Sequence, residues 1–169
     1  MAYCGKHTFS LIILLIAAIF AVAATSQYAI LPAICRAEEG LGAENFEEMA
    51  SYTTSFASSG TGRVNNIRLA AAALNGYTVQ PGQELSFNAA VGERTTERGY
   101  SVAKVIVDGE YVEGVGGGVC QVSSSLYNAW VLAGLDVVRV QGHSMPSGYV
   151  PMSQDATVSE YIDLVLKND

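Results

Sequence analysis

The sequence has few charged side chains and few residues of the kinds that bind metal ions. Only 15% of its 169 residues are charged, and it contains three cysteines and two histidines. Its Cys and His residues do not have the spacing of a zinc site, and His143 is the one histidine after Cys35. We therefore expect neither a metal ion nor another cofactor.

Positive charge is scarce beyond the N-terminal segment. All 16 acidic residues follow Cys35, together with eight of the nine Lys and Arg residues, so this portion has a net charge near −8. Nucleic acids and anionic lipid surfaces attract basic proteins. The acidic balance predicts that the protein does not bind nucleic acid and that anionic lipid is not its main partner.

The N-terminal segment has no charged residue from Thr8 to Cys35. Such a run is typical of a membrane helix or of the apolar part of a signal peptide. Ala21-Val22-Ala23 is a candidate cleavage site, whereas residues 28–34 extend the run toward membrane-spanning length. Both alternatives export the rest of the chain, since the N-terminal flank is positive. Residues 1–35 are predicted to be a membrane anchor or a signal peptide.

The position of the three cysteines favours a special role for one of them. Cys4 and Cys35 flank the apolar run, which leaves Cys120 as the only cysteine of the downstream sequence. A lone cysteine in an exported domain forms no internal disulfide, and this favours a reactive thiol. A buried structural cysteine is the alternative.

A glycine run, Gly116, Gly117 and Gly118, leads directly to Cys120 and then to a predicted helix over 121–133. Consecutive glycines are typical of a sharp turn or a close approach of the backbone. The free N–H groups and the dipole at the start of a helix stabilise a thiolate. The pattern is therefore typical of a nucleophilic cysteine.

Several motifs recur in the order found in one bacterial family. They are RVNNIRLAAAALNG, PGQELSFNAAVGERTTERGY, VIVDGEYVEGVGGG, GVGGGVCQVSSSLYNAWVLAGLDVV, HSMPSGYVP and DATV. Together, from Phe46 to Thr157, they resemble the signature of the VanW family, which is named after an accessory gene of vancomycin-resistance clusters. The resemblance implies a membrane-anchored or secreted protein of the cell envelope. If it is an enzyme, a peptidoglycan-related peptide is the expected substrate. Family members usually continue beyond the DATV motif with further strands, so we expect a C-terminally truncated copy.

The predicted fold class is α+β, an N-terminal apolar helix followed by one small domain of two main helices on a mostly antiparallel sheet. The helices are predicted over 64–74 and 121–133, and a hairpin turns at Asp108-Gly109. Further strands are predicted over 84–88, 137–140 and 161–166. Residues 36–59 are predicted to be a stalk, and residues 60–169 the VanW-like domain.

The chain spacing allows Cys120, His143 and Asp155 to meet. A helix carries the chain roughly 20 Å away from the cysteine, and the next strand returns a similar distance to the histidine. Nucleophile, base and base-orienting carboxylate then follow in chain order. This plan is similar to that of transglutaminase-like and papain-like cysteine hydrolases. Asp155 serves equally well as a cap at the start of a strand.

Three further residues are candidates for substrate binding. Arg94 and Arg98 lie in one polar loop, where they are able to hold a carboxylate or phosphate group. Pairing of these arginines with neighbouring glutamates in a solvated loop is the alternative. Gln121 is able to donate a hydrogen bond to an oxyanion, and so is a neighbouring backbone N–H.

Two functions remain open from the sequence. The first is an exported thiol hydrolase or acyltransferase that acts on a cell-wall peptide through Cys120. The second is a non-catalytic envelope-binding or scaffolding domain associated with glycopeptide resistance, in which Arg94 and Arg98 hold an acidic ligand. A reactive thiol favours the enzyme, and an inert thiol favours the binding domain.

Overall fold

A computed structural model describes residues 3–5, 8–10, 47–107 and 109–169. The helices are α1 (Thr61–Leu74), α2 (Phe87–Val91) and α3 (Val119–Leu132). The strands are β1 (Tyr3–Gly5), β2 (Thr8–Ser10), β3 (Glu84–Ser86), β4 (Val102–Val107), β5 (Glu110–Val115), β6 (Asp136–Arg139) and β7 (Val165–Lys167). The predicted α+β class is confirmed.

All strand pairs among the described residues are antiparallel. The strands form a three-stranded sheet in the order β3-β7-β6, a two-stranded β4-β5 sheet and a two-stranded β1-β2 sheet. The last pair of the β4-β5 hairpin is Val107 with Glu110, which confirms the hairpin predicted at Asp108-Gly109, although Asp108 itself lies outside the described residues.

Most of the predicted N-terminal anchor or signal peptide lies outside the described residues. Residues 3–5 and 8–10 pair as the short strands β1 and β2, and the description resumes at residue 47. Within the described ranges, none of the helices is both long and apolar enough to span a membrane.

Two predicted strands differ from the observed ones. The strand predicted over 84–88 ends at Ser86, because the Ser86 side chain accepts a hydrogen bond from the Ala89 backbone N–H and so caps α2. The strand predicted over 161–166 begins only at Val165, where it pairs with Ser86 and Arg139. The main helices α1 and α3 match the predictions within three residues.

The core lies between α1, α3 and the three-stranded sheet. Trp130 of α3 is fully buried, and its indole N–H donates to the carbonyls of Asp136 and Lys167 at 3.0 and 3.2 Å. These bonds tie α3 to β6 and β7 while the ring fills the core. The cysteine at the other end of α3 is therefore carried on an anchored helix.

Part of the segment before Gly60 also packs against the domain. Phe56 is a core residue with 8% exposure. The Thr54 and Ser125 hydroxyls are 2.8 Å apart, which joins this segment to α3. The packed unit thus includes residues that precede Gly60.

Candidate functional site

The glycine run places the start of α3 close to other backbone. A Cβ atom on Gly117 would lie 2.5 Å from the Lys104 carbonyl oxygen, so only glycine fits there. Gly118 is the N-cap residue of α3 with φ +106°, a left-handed conformation that glycine adopts without strain. Buried Asn66 donates to the Gly117 carbonyl at 3.0 Å and so links α1 to this run. Cys120 is thereby fixed in the first turn of α3.

The Cys120 thiol is partly buried and contacts the backbone of Val158. Its sulfur lies 3.4 Å from the Val158 carbonyl oxygen and 3.5 Å from the Val158 nitrogen. The protonated thiol is thus able to donate a hydrogen bond to the Val158 carbonyl, and a thiolate is able to accept one from the Val158 N–H. Among the residues described, no acceptor is found for the backbone N–H of Cys120, as expected in the first turn of a helix.

Two serines of α3 hold the segment that carries Asp155. Ser123 donates to the Ala156 carbonyl at 2.6 Å, and the Ala156 N–H donates to the Ser124 hydroxyl at 2.9 Å. Thr157 N–H donates to the Gln141 carbonyl at 2.7 Å, which brings the preceding segment alongside. These contacts fix two segments without regular secondary structure, so that the side chains of His143 and Asp155 lie close together.

His143 and Asp155 form a close pair beside the cysteine. The Asp155 carboxylate accepts from the backbone N–H of His143 and contacts the ring Nδ1, both at 2.6 Å. The side chains are 6% and 12% exposed. Because Asp155 occupies Nδ1, Nε2 is the ring nitrogen that remains for another partner. The structure therefore brings all three predicted residues together, with His143 and Asp155 outside regular strands.

The surroundings of this pair shift both pKa values. Burial lowers the pKa of His143, but the hydrogen bond and charge of Cys120, followed by those of Asp155, outweigh burial and raise it. Burial raises the pKa of Asp155, but hydrogen bonds from the His143 backbone and ring outweigh it and lower the pKa. Both shifts favour the ion pair.

Two residues that the sequence analysis did not single out line the same cavity as Cys120. Arg63 of α1 donates to the Ser59 hydroxyl at 2.8 Å and to Oε1 of Gln121 at 2.7 Å, and it lies 5.8 Å from the centre of the Tyr149 ring. Burial and the charge of Cys120 are the main causes that raise the pKa of Tyr149. No local sequence pattern distinguishes these residues, because long-range packing brings them to the site.

The three predicted substrate-binding residues take different positions. Arg94 lines the cleft, donating to Oδ1 of Asn88 at 2.9 Å. Arg98 donates to the Glu93 carbonyl of its own loop at 2.7 Å and does not line the cleft. Gln121 is buried, and its Nε2 donates to the Ser55 carbonyl at 3.0 Å.

Cys120 and His143 line a broad open cleft of about 1840 Å³. Its lining includes the β4-β5 hairpin, the glycine run and the start of α1. Pockets for drug-sized molecules have roughly 300–1,000 Å³, so this cleft suits an extended ligand. In the described part of the chain, no three Cys, His, Asp or Glu side chains are grouped to hold a metal ion.

Comparisons with known proteins agree with the motif pattern. The family model of VanW like protein matches residues 62–169. The chain is 48% identical over 113 residues to an uncharacterized protein, YoaR, of Bacillus subtilis, covering 67% of this chain and 37% of that protein. It is 33% identical over 113 residues to the vancomycin B-type resistance protein VanW of Enterococcus faecalis. That match covers 63% of this chain and 41% of the relative. This chain thus spans about two fifths of each relative, and no solved structure matches it.

Proposed function

This chain belongs to the VanW-like protein family, and we propose that it is a cysteine hydrolase or acyltransferase. Cys120 is the nucleophile, His143 the base and Asp155 the carboxylate that orients the base. The observation that supports this most directly is the contact of His143 Nδ1 with the Asp155 carboxylate at 2.6 Å, in a ring near enough to Cys120 for the thiol to affect the pKa of His143.

In the acylation step, Nε2 of His143 takes the thiol proton, and the sulfur of Cys120 attacks a carbonyl carbon. The carbonyl electron pair moves to oxygen, where the backbone N–H of Cys120 is available as a donor. When the carbon–nitrogen bond breaks, the leaving nitrogen takes the proton from His143 and a thioester remains on Cys120. Asp155 stabilises the imidazolium throughout.

In the second step, a water molecule or an amine attacks the thioester. His143 takes the proton of the attacking group, the carbon–sulfur bond breaks, and the proton returns to the sulfur. With water the protein is a hydrolase, and with an amine it is an acyltransferase. The proposed roles follow the chain order of transglutaminase-like and papain-like enzymes, with the cysteine in the first turn of a helix, whereas His143 lies outside regular strands.

A peptidoglycan-related peptide of the cell envelope is the proposed substrate, and the apolar N-terminus is proposed to export the domain or anchor it in the membrane. The open cleft is large enough for a peptide. The Enterococcus faecalis relative is named a vancomycin resistance protein, which supports a role near the target of glycopeptides.

The test measures alkylation of Cys120 by iodoacetamide in the full chain, read by mass spectrometry of the peptide containing it. His143→Ala should slow the reaction at neutral pH at least about tenfold, because the base is lost. His7→Ala is the matched control and should leave the rate unchanged. Equal rates in the His143→Ala variant and the unmodified protein would contradict the enzyme proposal.

A non-catalytic binding domain is the alternative, and the position of Arg94 in the cleft favours it. In that case Cys120→Ser should leave binding of a cell-wall peptide intact, whereas Arg94→Ala should weaken it. Arg98→Ala is the control on the same loop, because Arg98 does not line the cleft.

A further inference from the structure

Arg63 carries a partly buried positive charge that no carboxylate neutralises within the described residues. Its two hydrogen-bond acceptors, Ser59 and Gln121, are both neutral. In residues 47–107 and 109–169 the one close contact between oppositely charged side chains is that of His143 with Asp155. An uncompensated charge is costly to bury, and it is notable in a chain with a net charge of −7.

The guanidinium is also held in place. Gln121, which accepts from Arg63, is fixed in turn by its own bond to the Ser55 carbonyl, and the central carbon of the guanidinium lies over the Tyr149 ring. A guanidinium has five N–H donors, and Arg63 uses two of them in these bonds. The others remain for a planar anion, which the fork geometry of arginine matches.

Arg63 lines the same cleft as Cys120, and the two side chains are close enough to interact electrostatically. We propose that Arg63 binds a carboxylate group of the substrate, so that the acyl compound attacked by Cys120 carries a carboxylate near the reacting carbonyl. This inference rests on the proposed function, and it narrows the substrate class to acidic acyl compounds or peptides. It also assigns Gln121 to positioning Arg63.

The test compares two alkylating reagents that differ in one group. Iodoacetate carries a carboxylate, and iodoacetamide carries the neutral amide in its place. Relative to the free thiol of N-acetylcysteinamide, Cys120 of the full chain should favour iodoacetate about tenfold. Arg63→Gln should bring the ratio of the iodoacetate rate to the iodoacetamide rate down to that of the free thiol. The ratio is the readout because loss of the positive charge near Cys120 also slows the reaction with iodoacetamide.

Arg68→Gln is the matched control, since Arg68 lies exposed on the same helix and does not line the cleft. It should keep the preference for iodoacetate. If Arg63→Gln leaves the preference intact, or slows both reagents equally, Arg63 does not bind carboxylates and the inference is wrong. Failure of the enzyme proposal is distinguishable, because it is read from the iodoacetamide rate of His143→Ala.

A second measurement needs no variant. N-acetylalanine should protect Cys120 of the unmodified protein from iodoacetamide, whereas N-acetylalaninamide at the same concentration and ionic strength should not. Equal protection by the acid and the amide would overturn the inference even if Arg63→Gln failed to fold.

Discussion

At the residue scale, Asp155 holds His143 through both its backbone and its ring. His143 has a higher pKa in the folded protein than in the unfolded chain. The stability that this adds is complete at a pH below the unfolded-state pKa and is lost as the pH rises through the folded-state pKa. Asp155 has a lower pKa in the folded protein than in the unfolded chain. The stability that this adds is complete at a pH above the unfolded-state pKa and is lost as the pH falls through the folded-state pKa. The pair is therefore most stabilising in mildly acidic solution.

We expect Asp155→Asn to lower the thermal midpoint of unfolding most between about pH 4.5 and 6, with a smaller difference at higher pH. Because Cys120 also raises the pKa of His143, the comparison is repeated in a Cys120→Ser background. Melting curves across pH provide the measurement. A difference that grows steadily above pH 7 would contradict the ion pair.

At the element scale, the glycine run sets the distance between α3 and the β4-β5 hairpin. Gly117→Ala should destabilise the protein by about 1–3 kcal/mol, because its Cβ would overlap the backbone of Ala103 and Lys104. Urea unfolding measures the loss. Gly148→Ala is the control, since nothing lies within 4 Å of its added Cβ, and it should stay within about 0.5 kcal/mol. If Gly117→Ala is as stable as Gly148→Ala, the backbone of the glycine run moves to accommodate the added Cβ, and the close contact does not fix its position.

The elements were predictable where local signals decide them. The spacing of apolar residues predicts α1 and α3, and Asp108-Gly109 predicts the hairpin. The strand predicted over 84–88 failed in part because Phe87 is apolar and buried in either structure, so its pattern does not distinguish strand from helix. The Ser86 side chain caps α2 and so favours a helix over a longer strand at this point.

The site was predictable in its chain order and less so in its surroundings. Helix length and strand length are enough to bring Cys120 and His143 together. Arg63 reaches the same place only because α1 packs against α3, and no spacing in the sequence encodes that contact. Site residues that a separate helix contributes could therefore be identified only from the folded structure.

At the scale of the whole molecule, the packed unit depends on the segment before Gly60. Phe56 is buried in the core, and Ser55 accepts from Gln121, which holds Arg63. The segment therefore supports both the core and one wall of the cleft, and its loss should affect stability and the site together.

We expect Phe56→Ala to lower the free energy of unfolding by about 3–5 kcal/mol, because it leaves a cavity in the core. Tyr161→Ala is the control, since Tyr161 is 87% exposed and should change stability by less than about 0.5 kcal/mol. Urea unfolding of the full chain measures both. If Phe56→Ala unfolds like the control, the segment only rests on the surface, and the domain is stable without it. A large loss would instead place the start of the folded unit before Phe56.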